Sequence, residues 1–124
     1  DKHIVGVGYN GMPNGCDDSV YPWGRTGTFA EQKYAYVVHA ELNAILNAYT
    51  QLKGCSIYVS LFPCNECCKA IIQSGIREVV YLSDKYAETD STKASKRMLA
   101  SAGVTCRRME TDLREIPVRF AVDA

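Results

Sequence analysis

His39-Ala40-Glu41 and, 21 residues further on, Pro63-Cys64-Asn65-Glu66-Cys67 are the stretches on which the reading of this chain turns. They offer one imidazole, one carboxylate and two thiols in a set order. Zinc takes four ligands in a tetrahedron, and a catalytic site uses three from the protein and leaves one place for water. His39, Cys64 and Cys67 make three. Cys64 and Cys67 are three residues apart, so at the start of a helix both thiols lie on one face. Phe62-Pro63 ends an apolar run, and Pro63 suits a helix entry. The helix amino end favours thiolate over thiol, as does a metal. Glu41 is two residues from His39. In mid-helix such a pair would point apart, so the geometry requires a chain just entering a helix. Leu42, Ile45, Leu46 and Tyr49 have helical spacing and begin there.

Cys68 competes as a ligand, because Cys64 and Cys68 also share a helical face. Cys68 lines up with Ile71 and Ile72, however, and reads as a buried core thiol. Cys16, Cys55 and Cys106 are scattered and read as ordinary reduced thiols, and His3 at the chain start reads as no ligand.

At 124 residues the chain reads as one domain, 1–124, able to bury a core without disulfide staples. Fourteen basic and fourteen acidic residues give a formal net charge of zero. That argues against nucleic acid as a partner held on a broad basic surface. Two of six cysteines have metal spacing, which points to a reducing compartment and hence to the cytoplasm. No apolar run reaches membrane length.

His3 to Tyr9 alternates weakly and reads as a strand. A long irregular stretch with Gly11, Pro13, Gly15, Pro22, Gly24 and Gly27 runs to about Tyr34, and loops of that length in a compact domain are usually functional. A helix is expected from about His39 to Thr50, a strand from Ser56 to Phe62, and a helix from Cys64 to Ser74 stopped by Gly75. Glu78 to Leu82 reads as a strand. Asp90 or Ser91 can cap a helix to Ala102, stopped by Gly103. Val104 to about Arg108 is a short strand, and Pro117 to Val122 a further extended piece. Strand and helix alternate from Ser56 to Arg108, which implies parallel pairing by right-handed crossovers. Apolar runs in the first two of these strands fit a sheet covered on both faces. Packing the two metal-bearing helices side by side would bring His39 to Cys64 and Cys67.

The His-x-Glu and Pro-Cys-x-x-Cys order is the signature of the zinc nucleobase deaminases. Four stretches narrow the resemblance. His39 to Ile45 (His-Ala-Glu-Leu-Asn-Ala-Ile), Leu61 to Lys69, the glycine-rich Gly8-Tyr9-Asn10-Gly11-Met12-Pro13-Asn14-Gly15 and Ser83-Asp84-Lys85-Tyr86 resemble the deoxycytidylate (dCMP) deaminases of the zinc-dependent cytidine/deoxycytidylate deaminase family. The resemblance covers nearly the whole chain to about Arg108. It implies a three-layer α/β/α cytidine deaminase-like fold, with a mixed sheet whose later strands are parallel. It implies an enzyme, a zinc-dependent hydrolase acting on dCMP to give dUMP and ammonia, the precursor for thymidylate. Zinc lowers the pKa of bound water from about 16 toward roughly 7. Glu41, not a ligand, would shuttle the proton to the ring nitrogen and then to the departing amine.

Further properties follow from the same resemblance: a homo-oligomer, typically a hexamer, activated by dCTP and inhibited by dTTP with Mg2+. Carried over by position, Asn10, Gly11 and Gly15 belong to the nucleotide-binding or allosteric loop. Ala40, Asn43 and Tyr86 are the candidate substrate contacts. Asn10-Gly11 could also be only a tight turn, Asn43 a helix-surface amide and Tyr86 a packing aromatic. Trp23 and Arg25 either cover the site or anchor the long loop. Arg25, Lys33 and Lys85 are unranked candidates for the substrate phosphate.

The resemblance also implies an N-terminal helix and a first strand forming a hairpin with residues 3–9, and this sequence has neither. Asp1-Lys2 reads as the turn of that hairpin, so an N-terminally truncated chain with a bare sheet edge, an uncovered apolar face and reduced stability is expected. Two other functions are compatible with the zinc motif. One is a deaminase acting on a base within nucleic acid, such as tRNA adenosine or cytidine. The other is a catalytically impaired zinc-stabilised scaffold, against which the retained Glu41 argues.

Overall fold

In the computed structural model, which describes residues 2–122, the alternation read between Ser56 and Arg108 becomes a strand–helix ladder. Ser56–Leu61 forms β1, Asn65–Gln73 α2, Glu78–Ser83 β2, Asp90–Ser101 α3 and Thr105–Arg108 β3. Helix α1, Ala40–Asn47, precedes them, and two short 3-10 turns, Phe29–Glu31 and Lys33–Ala35, lie in the long loop before it. The boundaries have local causes. Gly75 (φ +85°) and Gly103 (φ +74°) take the left-handed conformation just past α2 and α3. Thr89, rather than Asp90 or Ser91, caps α3: its hydroxyl accepts the Thr92 N–H at 3.3 Å.

The strands lie in the order β1-β2-β3, all parallel. The register sets Ile57 beside Val79, Val79 beside Cys106, and Val59 beside Tyr81. That face carries the core. Ile57 and Val79 cluster with Cys68 and Ile71 of α2 and Leu99 of α3, and Ile45 of α1 packs against them. All three helices therefore cover one side of the sheet. On the opposite side Tyr58 and Leu82 are 63% and 50% exposed, while Val80 between them is buried. The α/β class and the parallel later strands are as expected. The described sheet is wholly parallel rather than mixed.

The expected strand at His3 to Tyr9 accounts for the difference in the sheet. Among the described residues it joins no ladder and runs instead along α1. Its carbonyls find side-chain donors there: Asn43 Nδ2 reaches the Tyr9 carbonyl at 2.9 Å and the Tyr49 hydroxyl that of Ile4 at 3.1 Å. Gly6 and Gly8 allow this approach, since a Cβ at Gly8 would lie 2.3 Å from the Ala44 nitrogen. The hairpin turn read at Asp1-Lys2 includes a residue outside those described. Pro117 to Val122 forms no strand, and its side chains are exposed.

Ile71 has no exposed surface and sits where α2 meets the sheet. Ile71→Ala removes buried methyl groups and leaves a cavity, which costs about 3 kcal/mol. The thermal midpoint is expected to fall by about 10 °C, as read by circular dichroism; an unchanged midpoint would contradict this placement of the core.

Candidate metal centre

Two helix entries converge. His39 is the N-cap of α1 (φ −68°, ψ 153°) and Cys64 the N-cap of α2 (φ −69°, ψ 167°), both in extended backbone. This is the chain-entry geometry that lets His39 and Glu41 act together. An N-cap side chain folds back over the first turn, and Cys64 does so: its Sγ accepts the Cys67 N–H at 3.4 Å. Cys67 sits one turn into α2 and is buried. His39 Nδ1 lies 3.4 Å from each of the Cys64 and Cys67 sulfurs. The three donor atoms all fall within 4.8 Å of one another. Tetrahedral zinc with bonds of about 2.1 Å to nitrogen and 2.3 Å to sulfur spans an N···S edge of about 3.6 Å. The three side chains therefore fit such an ion, and both helix amino ends favour negative charge at the same place.

The charges follow this geometry. Cys64 is pulled down to about 4, first by the hydrogen bond from the Cys67 thiol and then, against the opposing effect of burial, by the bond to His39. Cys67 is pushed well above the thiol range, first by that same contact and then by burial and the Glu41 charge. His39 is raised, mainly by its hydrogen bond to Cys64. Glu41 is raised above the usual carboxylate range by burial, with His39 and Cys67 acting the other way. Cys68 is pushed up to about 11 by burial, and its thiol faces the Ser95 carbonyl at 3.5 Å. It is the core thiol the sequence suggested. Metal-free protein treated with iodoacetamide near pH 6 is expected to label Cys64 ahead of Cys67 and Cys68, read by peptide mass spectrometry. Labelling of Cys68 first would contradict this order.

The other candidate residues divide into two groups. Asn10, Gly11, Ala40 and Asn43 form one junction between the loop and α1. Asn10 Oδ1 accepts the Ala40 N–H at 2.8 Å, so a loop side chain supplies the cap that the His39 side chain does not. Gly11 and Val38 exchange two backbone hydrogen bonds, at 3.1 and 2.8 Å. Asn43 Nδ2 donates to the Tyr9 carbonyl. Gly15 (φ +86°) lies in a separate turn closed by Cys16 N–H to the Pro13 carbonyl. Tyr86 lies in the β2–α3 loop, where the Lys85 ammonium sits 5.2 Å from its ring centre and its carbonyl accepts from the Thr89 hydroxyl. Of the three candidate phosphate cations, Lys33 is the one whose charge bears on His39.

Sequence reasoning missed the serines of α3. Ser95 is fully buried and donates to the Pro63 carbonyl at 2.9 Å, and Ser91 bonds Asn65. The available signal, for Ser95 only, was spacing: Thr92, Ser95 and Leu99 share one helical face, so the Ser95 hydroxyl lies on the buried stripe.

Residues 1–83 match the family model described as the cytidine and deoxycytidylate deaminase zinc-binding region. The chain is 53% identical over 122 residues to the deoxycytidylate deaminase of Homo sapiens, covering 97% of this chain and 68% of that one. It is 48% identical to a probable deoxycytidylate deaminase of Drosophila melanogaster, covering 96% of this chain and 62% of that protein. Among solved structures it is similar to the dCMP deaminase of cyanophage S-TIM5 in complex with dCMP and dUMP. There the TM-score is 0.61 at 25% identity, covering 82% of this chain and 70% of the other.

Proposed function

The chain belongs to the cytidine and deoxycytidylate deaminase zinc-binding family, and on that premise we propose that it hydrolyses dCMP to dUMP and ammonia. The observation that carries this reading is the donor set His39, Cys64 and Cys67, with Glu41 in the first turn of the same helix entry. These three side chains would hold zinc. When bound, zinc supplies Lewis acidity that makes water a usable nucleophile near neutral pH. Glu41 accepts the proton of the attacking water at its carboxylate, passes it to the pyrimidine ring nitrogen, and later delivers one to the departing amine. Its raised pKa suits that cycle, because a group that titrates nearer neutrality both takes and returns a proton readily. The junction of Asn10, Ala40 and Asn43 holds the first turn of α1 against the loop, which fixes where the Glu41 carboxylate stands.

The closeness to deoxycytidylate deaminases supports dCMP as substrate, and the neutral charge of the chain counts against a base within nucleic acid. The effect of the Lys33 charge on His39 supports Lys33 as the cation that meets the substrate phosphate, and the family resemblance supports Tyr86 as a nucleotide contact. The family resemblance further supports a hexameric enzyme that supplies dUMP for thymidylate, activated by dCTP and inhibited by dTTP with Mg2+. Six free thiols suit a reducing, cytoplasmic setting, and no helix among the described residues is long and apolar enough to cross a membrane.

Ammonia release is to be measured from dCMP, alone and with dCTP or dTTP, and from single-stranded RNA and DNA. Turnover of dCMP, lost on zinc chelation and restored by zinc, is the expected result. Release from RNA or DNA with none from dCMP would overturn the assignment.

A further inference from the structure

Cys64 is gripped from both sides in sequence by a helix that carries no ligand. Before it, the Pro63 carbonyl accepts the Ser95 hydroxyl at 2.9 Å, in a place where Ser95 and Pro63 are both fully buried. After it, the Asn65 N–H donates to Ser91 Oγ at 3.1 Å, and Ser91 Oγ donates to Asn65 Oδ1 at 3.0 Å. Ser91 and Ser95 are one turn apart on α3 and so face α2 together. The peptide groups flanking the first thiolate are thus fixed at two points, and the direction of the Cys64 side chain is fixed with them. A third contact, from the Cys68 thiol to the Ser95 carbonyl at 3.5 Å, ties the same turn of α2 to α3.

We infer that Ser91 and Ser95 are positioning residues for the metal centre, acting through Asn65 and Pro63 to hold Cys64 in ligand geometry. A buried hydroxyl such as that of Ser95 is costly on an apolar helix face unless it bonds. The presence of both serines where they meet the backbone on either side of a ligand is accounted for by orientation. Partners of this kind, one step removed from the metal, typically change metal affinity by about 10- to 100-fold when lost. The inference rests on the zinc reading above only in taking His39, Cys64 and Cys67 as ligands.

The test is Co2+ titration of the metal-free full chain. Its readouts are the dissociation constant from chelator competition and the thiolate-to-cobalt charge-transfer band. Ser95→Ala and Ser91→Ala are expected to weaken cobalt binding by about 10- to 100-fold and to shift the band. Ser91→Thr, which keeps the hydroxyl, is expected to restore both. Thr92→Val is the matched control: Thr92 is equally buried on α3, but its hydroxyl bonds Thr89 instead of α2, so its cobalt affinity should equal the parent's. If Ser95→Ala fails to fold, Ser91→Ala decides, since Ser91 is only half-buried. Unchanged affinity and spectrum in the folded serine variants, with only the thermal midpoint lowered, would overturn the inference. So would an equal loss in Thr92→Val. A parent chain that takes up no cobalt would overturn the zinc reading itself, which is a distinguishable failure.

Discussion

Glu41→Gln is expected to lower dCMP turnover by about 10²- to 10⁴-fold while leaving the zinc content of the protein unchanged. The substitution keeps the shape of the side chain and removes its capacity to take a proton. Glu41 is not among the three donor atoms that cluster at the site, so metal uptake does not depend on it. It stands close enough for His39 and both cysteines to act on its titration, which is the reach a proton shuttle needs. Turnover is measured by ammonia release and zinc by elemental analysis of the same sample. Activity within tenfold of the parent would remove Glu41 from the acid–base role. Loss of zinc along with activity would instead make it a structural partner of the ligands.

Gly8→Ala is the second substitution with a large expected effect, and it touches no ligand. A Cβ there would lie 2.3 Å from the Ala44 nitrogen, 2.4 Å from the Ala40 carbonyl oxygen and 2.8 Å from the Asn43 carbonyl carbon. All three are backbone atoms of α1, so none can rotate aside. The segment must lift off the helix, and overpacking of this kind costs about 3 kcal/mol. Lifting it also draws the neighbouring Asn10 away from the Ala40 N–H and the Tyr9 carbonyl away from Asn43. Both bonds seat the turn that carries Glu41. Turnover well below the melting temperature is therefore expected to fall about 100-fold, the scale at which an ångström of misplacement acts. Gly24→Ala, where a Cβ would meet nothing within 4 Å, is the comparison and should change stability by no more than about 0.5 kcal/mol. Equal behaviour of the two variants would show that the close approach has no consequence.

The metal centre was legible in the chain because its chemistry is written in residue types few other sites use together, at spacings that a helix entry converts directly into proximity. The central helices and strands were legible for a related reason. Apolar runs such as Ile57 to Leu61 and Val79 to Leu82, bounded by Pro63, Gly75 and Gly103, have few other ways to fold. What was not legible depends on distances between segments far apart in sequence. Alternation in residues 3–9 described a strand, but whether it pairs with a strand or lies on a helix is decided by what stands beside it. Nor could the need for glycine at Gly6 and Gly8, within that expected strand, be seen before α1 was found against them. The hydrogen bonds that Asn10 and Asn43 make across the junction of loop and helix could not be read either, because an amide's partner is set in three dimensions. Ser91 and Ser95 passed unnoticed for the same reason.

Helix α1 is only eight residues long and buries none of them completely. A helix that short is marginal on its own, and what fastens it to α2 includes the pairing of His39 with two cysteines of another helix. A metal held there is a rivet as well as a reagent. Its binding energy would be coupled to the folding of the segment that bears Glu41. On the proposed reading, the seat of Glu41 and the Lewis acid would arrive together: loading the metal would complete the proton-handling machinery.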